Sequence, residues 1–250
     1  MFSYWESTEL LLTAGVAAFF VGLSKGGLPS IGMLGVPILS MMISPLRATV
    51  VLLPIFVISD IVGVYLYRRQ FSLRNLQVLI PAGLFGVGLG WAIASFISDV
   101  ILTLLIGVIG IGFCLNMWLR PKTTEVKVVR KAAGYFWGAL AGFTSFISHS
   151  GAPPFQIYML PQRLPKLEFA GTSTIFFAAV NAAKILPYQQ LQPYTYENLQ
   201  GAMVLVPLAI FGTWVGANLT KRIDEKLFYR FVQVSLFLIS CRLVFGVLWG

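Results

Sequence analysis

The sequence predicts an all-α polytopic membrane protein of two inverted-topology repeats, each a hairpin of short helices followed by three transmembrane helices. Three observations carry that prediction: an apolar composition, basic residues confined to short loops, and two glycine- and proline-rich breaks at corresponding places. Hydrophobic residues make up 57% of the 250 and charged residues 11%, with mean hydropathy +0.82. Soluble domains carry about 25% charged residues. The chain is therefore nearly all membrane, and no soluble second domain fits. Its net charge of +9 does not read as nucleic-acid binding, because the basic residues sit between apolar segments, where topology explains them.

Apolar segments run over 10–24, 28–44, 49–67, 76–97, 100–119, 132–148, 152–161, 169–187, 198–219 and 227–248. The start, MFSYWESTEL, has acidic residues and no basic n-region, so the first segment reads as mature protein. Segments 10–24 and 28–44 flank the break GLSKGGLPS at Gly22; segments 132–148 and 152–161 flank GFTSFISHSGAPP at Gly142. A helix of about 15 residues rises about 22 Å against about 30 Å of hydrocarbon, so each pair reads as a hairpin dipping into the bilayer. Repeat one (1–119) is completed by helices 49–67, 76–97 and 100–119. A basic loop, 120–131, leads to repeat two (132–250), with hairpin 132–161 and helices 169–187, 198–219 and 227–248. Ser72 and Thr195 precede helices and read as N-caps, with Glu197 favourable in a first turn. Gly86, Gly88, Gly90, Gly212 and Gly216 have the spacing of close helix crossings in lipid.

The halves match each other. Gly22 and Pro45 match Gly142 and Pro165 at an offset of 120. Ser72, Asn75 and Leu76 match Thr195, Asn198 and Leu199 at 123; Pro81, Phe85, Gly86 and Gly90 match Pro207, Phe211, Gly212 and Gly216 at 126. Basic residues then set orientation. Arg68, Arg69 and Arg74, the loop from Arg120 to Lys131, Arg163 with Lys166, and Lys221, Arg222 and Lys226 should all face the cytoplasm. The remaining connections, with Arg47, Asp99 and Glu197, face out, as do both termini with Glu6 and Glu9. Loop 67–75 is then inside and its counterpart near 188–198 outside, which inverts the repeats, as in many secondary transporters. The two hairpins enter from opposite sides and their tips approach near mid-membrane.

Non-helical chain survives in hydrocarbon only where it is buried in protein or faces a wet cavity, so the breaks are the candidate site. Lys25 stands at the first tip; a charge at that depth costs about 2.5–3.5 kcal/mol and is usually functional or paired. Together with the amides of Gly26 and Gly27, the hydroxyls of Ser24 and Ser30 and a helix start near Leu28, it favours an anion. Snorkelling, or a structural pair with Asp60, is the other reading. His149, the single histidine, lies at the second tip among Ser145, Ser148, Ser150 and Gly151. It reads as an oxyanion donor, a proton carrier, or a pin for the hairpin. Asp60 is the acid inside a predicted span and, with His149, a coupling candidate; Asn181 holds the equivalent place in the second half. Thr172, Ser173 and Thr174 face the second tip or serve helix packing. Lys184 and Arg242 fall near predicted outer helix ends, where snorkelling accounts for them.

Several functions are excluded. Cys114 and Cys241 form no CxxC and lie in apolar segments, which argues against thiol relay and thiolate metal sites. One histidine supplies neither bis-histidine haem ligation nor a His-rich metal centre. There is no GxSxG, P-loop or dinucleotide fingerprint, so neither hydrolase chemistry nor ATP drive is indicated.

At the breaks the sequence resembles the sulfite exporter TauE/SafE-like family of membrane permeases. The matching residues are GLSKGG from Gly22 with Pro37, HSGAPP from His149, Gly171-Thr-Ser, and Asn181 with Lys184. The resemblance spans essentially the whole chain and implies transport of sulfite, sulfonates or related small organic anions. The expected function is thus a secondary transporter, an exporter, in the bacterial cytoplasmic membrane, with no enzyme activity, cofactor or metal. Its partners would be a small anion, the lipid bilayer and, if coupled, a proton; a homodimer is left open. A non-transporting membrane scaffold is the alternative, and an intramembrane hydrolase using His149 and a serine is a third reading.

Overall fold

Helices account for every regular element among the described residues, which are 7–40, 42–43, 45–93, 99–119, 130–191 and 193–248 of a computed structural model. Glu6, most of the basic loop 120–131 and the end of predicted helix 76–97 lie outside them. Helix α1 (Thr8–Lys25) is capped by Ser7, whose hydroxyl accepts from the Leu10 amide at 3.1 Å, and stops where Gly26 and Gly27 follow. The arm expected over 28–44 is instead a 3-10 helix (Pro29–Leu34) leading into the six-residue α2 (Gly35–Ser40). Pro37 supplies no amide to a longer α-helix, and Gly32 is crowded, its missing Cβ falling 2.7 Å from Ser24 Oγ. Then come α3 (Pro45–Tyr67), α4 (Leu73–Ile93), α5 (Asp99–Leu119), α6 (Lys131–Ser148), α7 (Ala152–Met159), α8 (Lys166–Leu191), α9 (Tyr196–Arg222) and α10 (Glu225–Leu248).

Among the described residues six helices, in α1, α3, α4, α8, α9 and α10, are long and apolar enough to cross a membrane. Pro54, Pro81, Pro187 and Pro207 lie inside α3, α4, α8 and α9. Membrane helices tolerate such prolines because neighbouring groups satisfy the freed carbonyls. Thr195 caps α9, accepting from the Asn198 amide at 3.2 Å. Ser72 stands at the matching place before α4, but its hydroxyl takes the Asn75 side-chain amide at 3.0 Å.

Small residues set the packing. Helix α1 lies along α9, α6 along α4, and α3 and α8 run between them and touch each other. At the first crossing, a Cβ on Gly22 would stand 2.0 Å from the Ala209 carbonyl oxygen; at the second, one on Gly142 would stand 2.0 Å from that of Gly83. Backbones this close leave no room for any side chain. Helix α10 packs on α5 and turns Leu227, Val234 and Leu238 outward, an apolar face that suits lipid.

Candidate functional site

The site is built from the ends of α1 and α6. After Lys25 the chain turns through Gly27, whose φ of +108° is open to glycine and strained for other residues. The Gly26 amide donates back to Gly22 O at 3.1 Å and the Gly27 amide to Ser24 O at 3.3 Å. The Gly26 carbonyl accepts from Tyr67 Oη at 2.6 Å and Thr220 Oγ1 at 3.0 Å. Helix α6 ends on His149 itself, in the left-handed region at φ 54°. Its amide donates to Ser145 O at 3.0 Å and that of Ser150 to Thr144 O at 3.3 Å, a helix-end motif glycine usually serves. A non-glycine residue held there costs on the order of 1–3 kcal/mol, and the ring contacts hold it: the imidazole stacks on Phe56 with centroids 4.4 Å apart and planes within 12°.

Between the two ends lies a small, partly open cavity. Ser24 and Lys25 of α1, His149, and Asn181 of α8 line it, so four of the expected site residues meet there. Ser145, Ser173, Thr174, Phe56 and Phe177 complete much of the wall. One buried polar chain runs behind it. Lys25 Nζ is 2.8 Å from Asp60 Oδ1, with both side chains 5% exposed. Asn181 donates its Nδ2 to Asp60 Oδ2 at 2.7 Å and accepts Lys184 Nζ on its Oδ1 at 3.0 Å. Lys184 Nζ also reaches Ser145 Oγ at 2.8 Å and His149 Nδ1 at 3.1 Å. His149 Nε2 lies 3.3 Å from Thr49 O. Because Nδ1 faces the Lys184 donor, the proton belongs on Nε2, pointing at the Thr49 carbonyl.

Two expectations need correction. The amides of Gly26 and Gly27 are not free for an anion: they close the end of α1, and both glycines pack against α9, where a Gly26 Cβ would fall 2.5 Å from Gly216 Cα. The C-terminal end of α1, not a helix start, presents Lys25. Lys184 does not reach to an interface but is fully buried. The apolar pattern placed the helix end at Pro187, whereas α8 accommodates that proline and continues to Leu191, setting Lys184 well inside. The signal that was available is its spacing: three residues after Asn181, on the same helix face.

The other expected residues support the wall rather than form it. Ser30 accepts from Gln156 Nε2 at 2.5 Å, a bridge between the two hairpins. Ser148 and Ser150 bond each other at 2.9 Å. Gly151 lies under α6, where a Cβ would meet Ala141 O at 2.6 Å. Arg242 is exposed on α10 and does not line the cavity. Among the described residues no group of His, Cys, Asp and Glu could hold a metal ion.

Long apolar helices packed through glycine crossings around a small cavity lined by Lys25 define a multi-pass membrane protein with a small polar site. The description of the sulfite exporter TauE/SafE family matches residues 14–243, nearly the whole chain, and the protein belongs to that family. The family is one of membrane transporters of sulfite or related anions. No curated protein and no solved structure matches the chain.

Proposed function

We propose that the protein is a secondary exporter of small anions, sulfite and sulfonates among them, which bind in the cavity between the two hairpin ends. The observation that carries this reading is Lys25. Among the described residues its ammonium has one carboxylate partner, Asp60, yet it borders a cavity and carries three donors. Its other close neighbours are ring faces, with Nζ 5.0 Å from the Phe56 centroid and 5.7 Å from that of Phe177. Rings and a desolvated ammonium suit a small anion with an apolar substituent, such as an alkyl sulfonate. The Ser173 hydroxyl lines the same wall and supplies a further donor.

The halves act as inverted repeats in this reading, and the contacts support it. At the offset of 120 Gly22 and Phe19 correspond to Gly142 and Ala139, and at 126 Gly83 and Gly86 correspond to Ala209 and Gly212. Gly22 meets Ala209 and Gly212 meets Phe19, while Gly142 meets Gly83 and Gly86 meets Ala139. The same exchange holds for the ends of the hairpins: Tyr67 bonds Gly26 O, and Tyr188 bonds Phe146 O. By the positive-inside rule both termini lie outside a bacterial cytoplasmic membrane. An inside-negative potential then expels an anion with about 2.3 kcal/mol per charge per 100 mV.

Transport of radiolabelled sulfite from proteoliposomes tests the proposal. Export accelerated by an inside-negative potential, and lost in Lys25→Met, is the expected result. Vesicles that retain label as well as protein-free ones do would overturn it and leave the scaffold role standing; a Lys25→Met protein as active as the parent would overturn the placing of the anion at Lys25.

A further inference from the structure

Two aromatic rings stand near the Lys25 ammonium in the cavity, and they are not alike. We infer that Phe177 is the specificity-determining residue of the site: its ring covers the apolar substituent of an organic sulfonate bound at Lys25 and limits the length of that substituent. The inference rests on the anion-transport reading above and names a substrate class within it, the short alkanesulfonates.

Phe56 and Phe177 hold equivalent places in the two halves, 121 residues apart like Asp60 and Asn181. Helices α3 and α8 run antiparallel: Asp60 meets Asn181, a Cβ on Gly63 would fall 2.7 Å from Thr174 Cγ2, and one on Gly171 would fall 3.1 Å from Tyr67 Cβ. Each phenylalanine precedes its member of the Asp60–Asn181 pair by four residues, about 6 Å along its helix. The two rings therefore lie on opposite sides of that pair. Lys25 Nζ is within reach of both, 5.0 Å from the Phe56 centroid and 5.7 Å from that of Phe177.

Phe56 is the fixed ring. It is 4% exposed and stacks on His149, whose two ring nitrogens face Lys184 and Thr49, so a substituent on that side would have to undo the stack. Phe177 is the ring with an open face. It is half-buried, yet Ser173, Thr174, Asn181 and Lys184, which share its helix face, are at most 2% exposed. The surface that Phe177 shows is thus cavity surface rather than lipid surface. Its other side is pressed into the second hairpin: a Cβ on Gly151 would fall 2.7 Å from Phe177 Cε1, and the Phe155 and Phe176 rings stand 5.4 and 4.9 Å away. The ring cannot retreat from a longer chain. Gly151, in the second break, is the residue whose missing side chain seats it. In a cavity this small, a sulfonate at Lys25 has one direction for its substituent, along Phe177. A methyl group gains an apolar contact there, whereas a four-carbon chain runs into the ring.

The experiment uses the full chain in liposomes loaded with radiolabelled sulfite together with unlabelled methanesulfonate or butanesulfonate as competitor for efflux. In the parent protein methanesulfonate should compete at least about tenfold better than butanesulfonate, the weight of an ill-fitting apolar group in a pocket. Phe177→Ala should reverse that order, butanesulfonate gaining about fourfold for each methylene that enters the vacated space. Phe177→Leu should shift the ratio the same way and less far. General damage does not produce a gain for the longer sulfonate, and a purely structural ring would weaken both competitors alike. No chain-length preference in the parent, or an unchanged ratio in the variants, overturns the inference. Loss of sulfite efflux in both variants also overturns it, because the ring would then serve every anion rather than select among them. Sulfite efflux that methanesulfonate does not compete with overturns the inference and leaves the transport reading standing. Failure of the parent to release sulfite sinks the transport reading itself.

Discussion

Two glycines of α4, two residues apart, provide a direct test of the helix crossings. A Cβ on Gly86 would stand 1.9 Å from Ala139 O and 2.8 Å from Phe143 N on α6, whereas one on Gly88 would meet nothing within 4 Å. A carbon and a carbonyl oxygen approach no closer than about 3.3 Å, so Gly86→Ala forces the helices apart locally by about 1.4 Å. A gap of even 0.5–1 Å forfeits about a quarter to a half of each dispersion contact, and α4 and α6 touch along most of their length. Overpacking of this kind costs about 1–3 kcal/mol, and Gly86→Ala should fall at the upper end because the obstructing atoms are backbone. Gly88→Ala meets no obstacle and removes backbone freedom, which favours the helix by up to about 1 kcal/mol. The assay is thermal or SDS-induced unfolding of the purified protein in micelles, followed by tryptophan fluorescence. The two variants should differ by about 3 kcal/mol, with opposite signs. Equal stabilities would refute the crossing and the packing of α4 on α6 built upon it.

Tyr188→Phe removes the hydroxyl donated to the Phe146 carbonyl and should cost about 1 kcal/mol or more, read as a lowered unfolding midpoint; Tyr67→Phe should cost less, because Thr220 also donates to Gly26 O. Lys184→Met should weaken protection of the protein by methanesulfonate in a thermal-shift titration, while Arg242→Met leaves it unchanged; equal effects would undo the assignment of Lys184 to the buried chain. Thr195→Ala should lower stability by about 1 kcal/mol through loss of the α9 cap. In a background without Cys114 and Cys241, cysteines at Arg69 and Arg222 should react with an impermeant thiol reagent from the cytoplasmic side, and cysteines at Glu9 and Pro193 from the other. Labelling of all four from one side would contradict the inverted arrangement.

The sequence was legible where local composition decides structure. Apolar runs marked the long helices, and Gly26, Gly27 and Gly151 marked the hairpin turns, because a break in a membrane helix has few chemical solutions. Three features were not legible. The arm after Pro29 tightens into a 3-10 helix under contacts from α1, including Ser24. Helix α8 runs through Pro187, which local rules read as a stop, since the surrounding protein absorbs the lost hydrogen bond. The amides of Gly26 and Gly27 were counted as free because nothing local says where they point.

By itself the sequence determined that this is a membrane protein of long apolar helices with two polar breaks, one bearing Lys25 and the other His149. Hydrophobicity and backbone satisfaction act over a few residues and leave their mark in the chain. Only the tertiary structure decided how these charges are used: Asp60 against Lys25, Asn181 between Asp60 and Lys184, and His149 held between Lys184 and Thr49. Most of those contacts join residues from separate helices, and a buried ionic group takes its role from the partners that replace its water, which no local stretch of sequence contains.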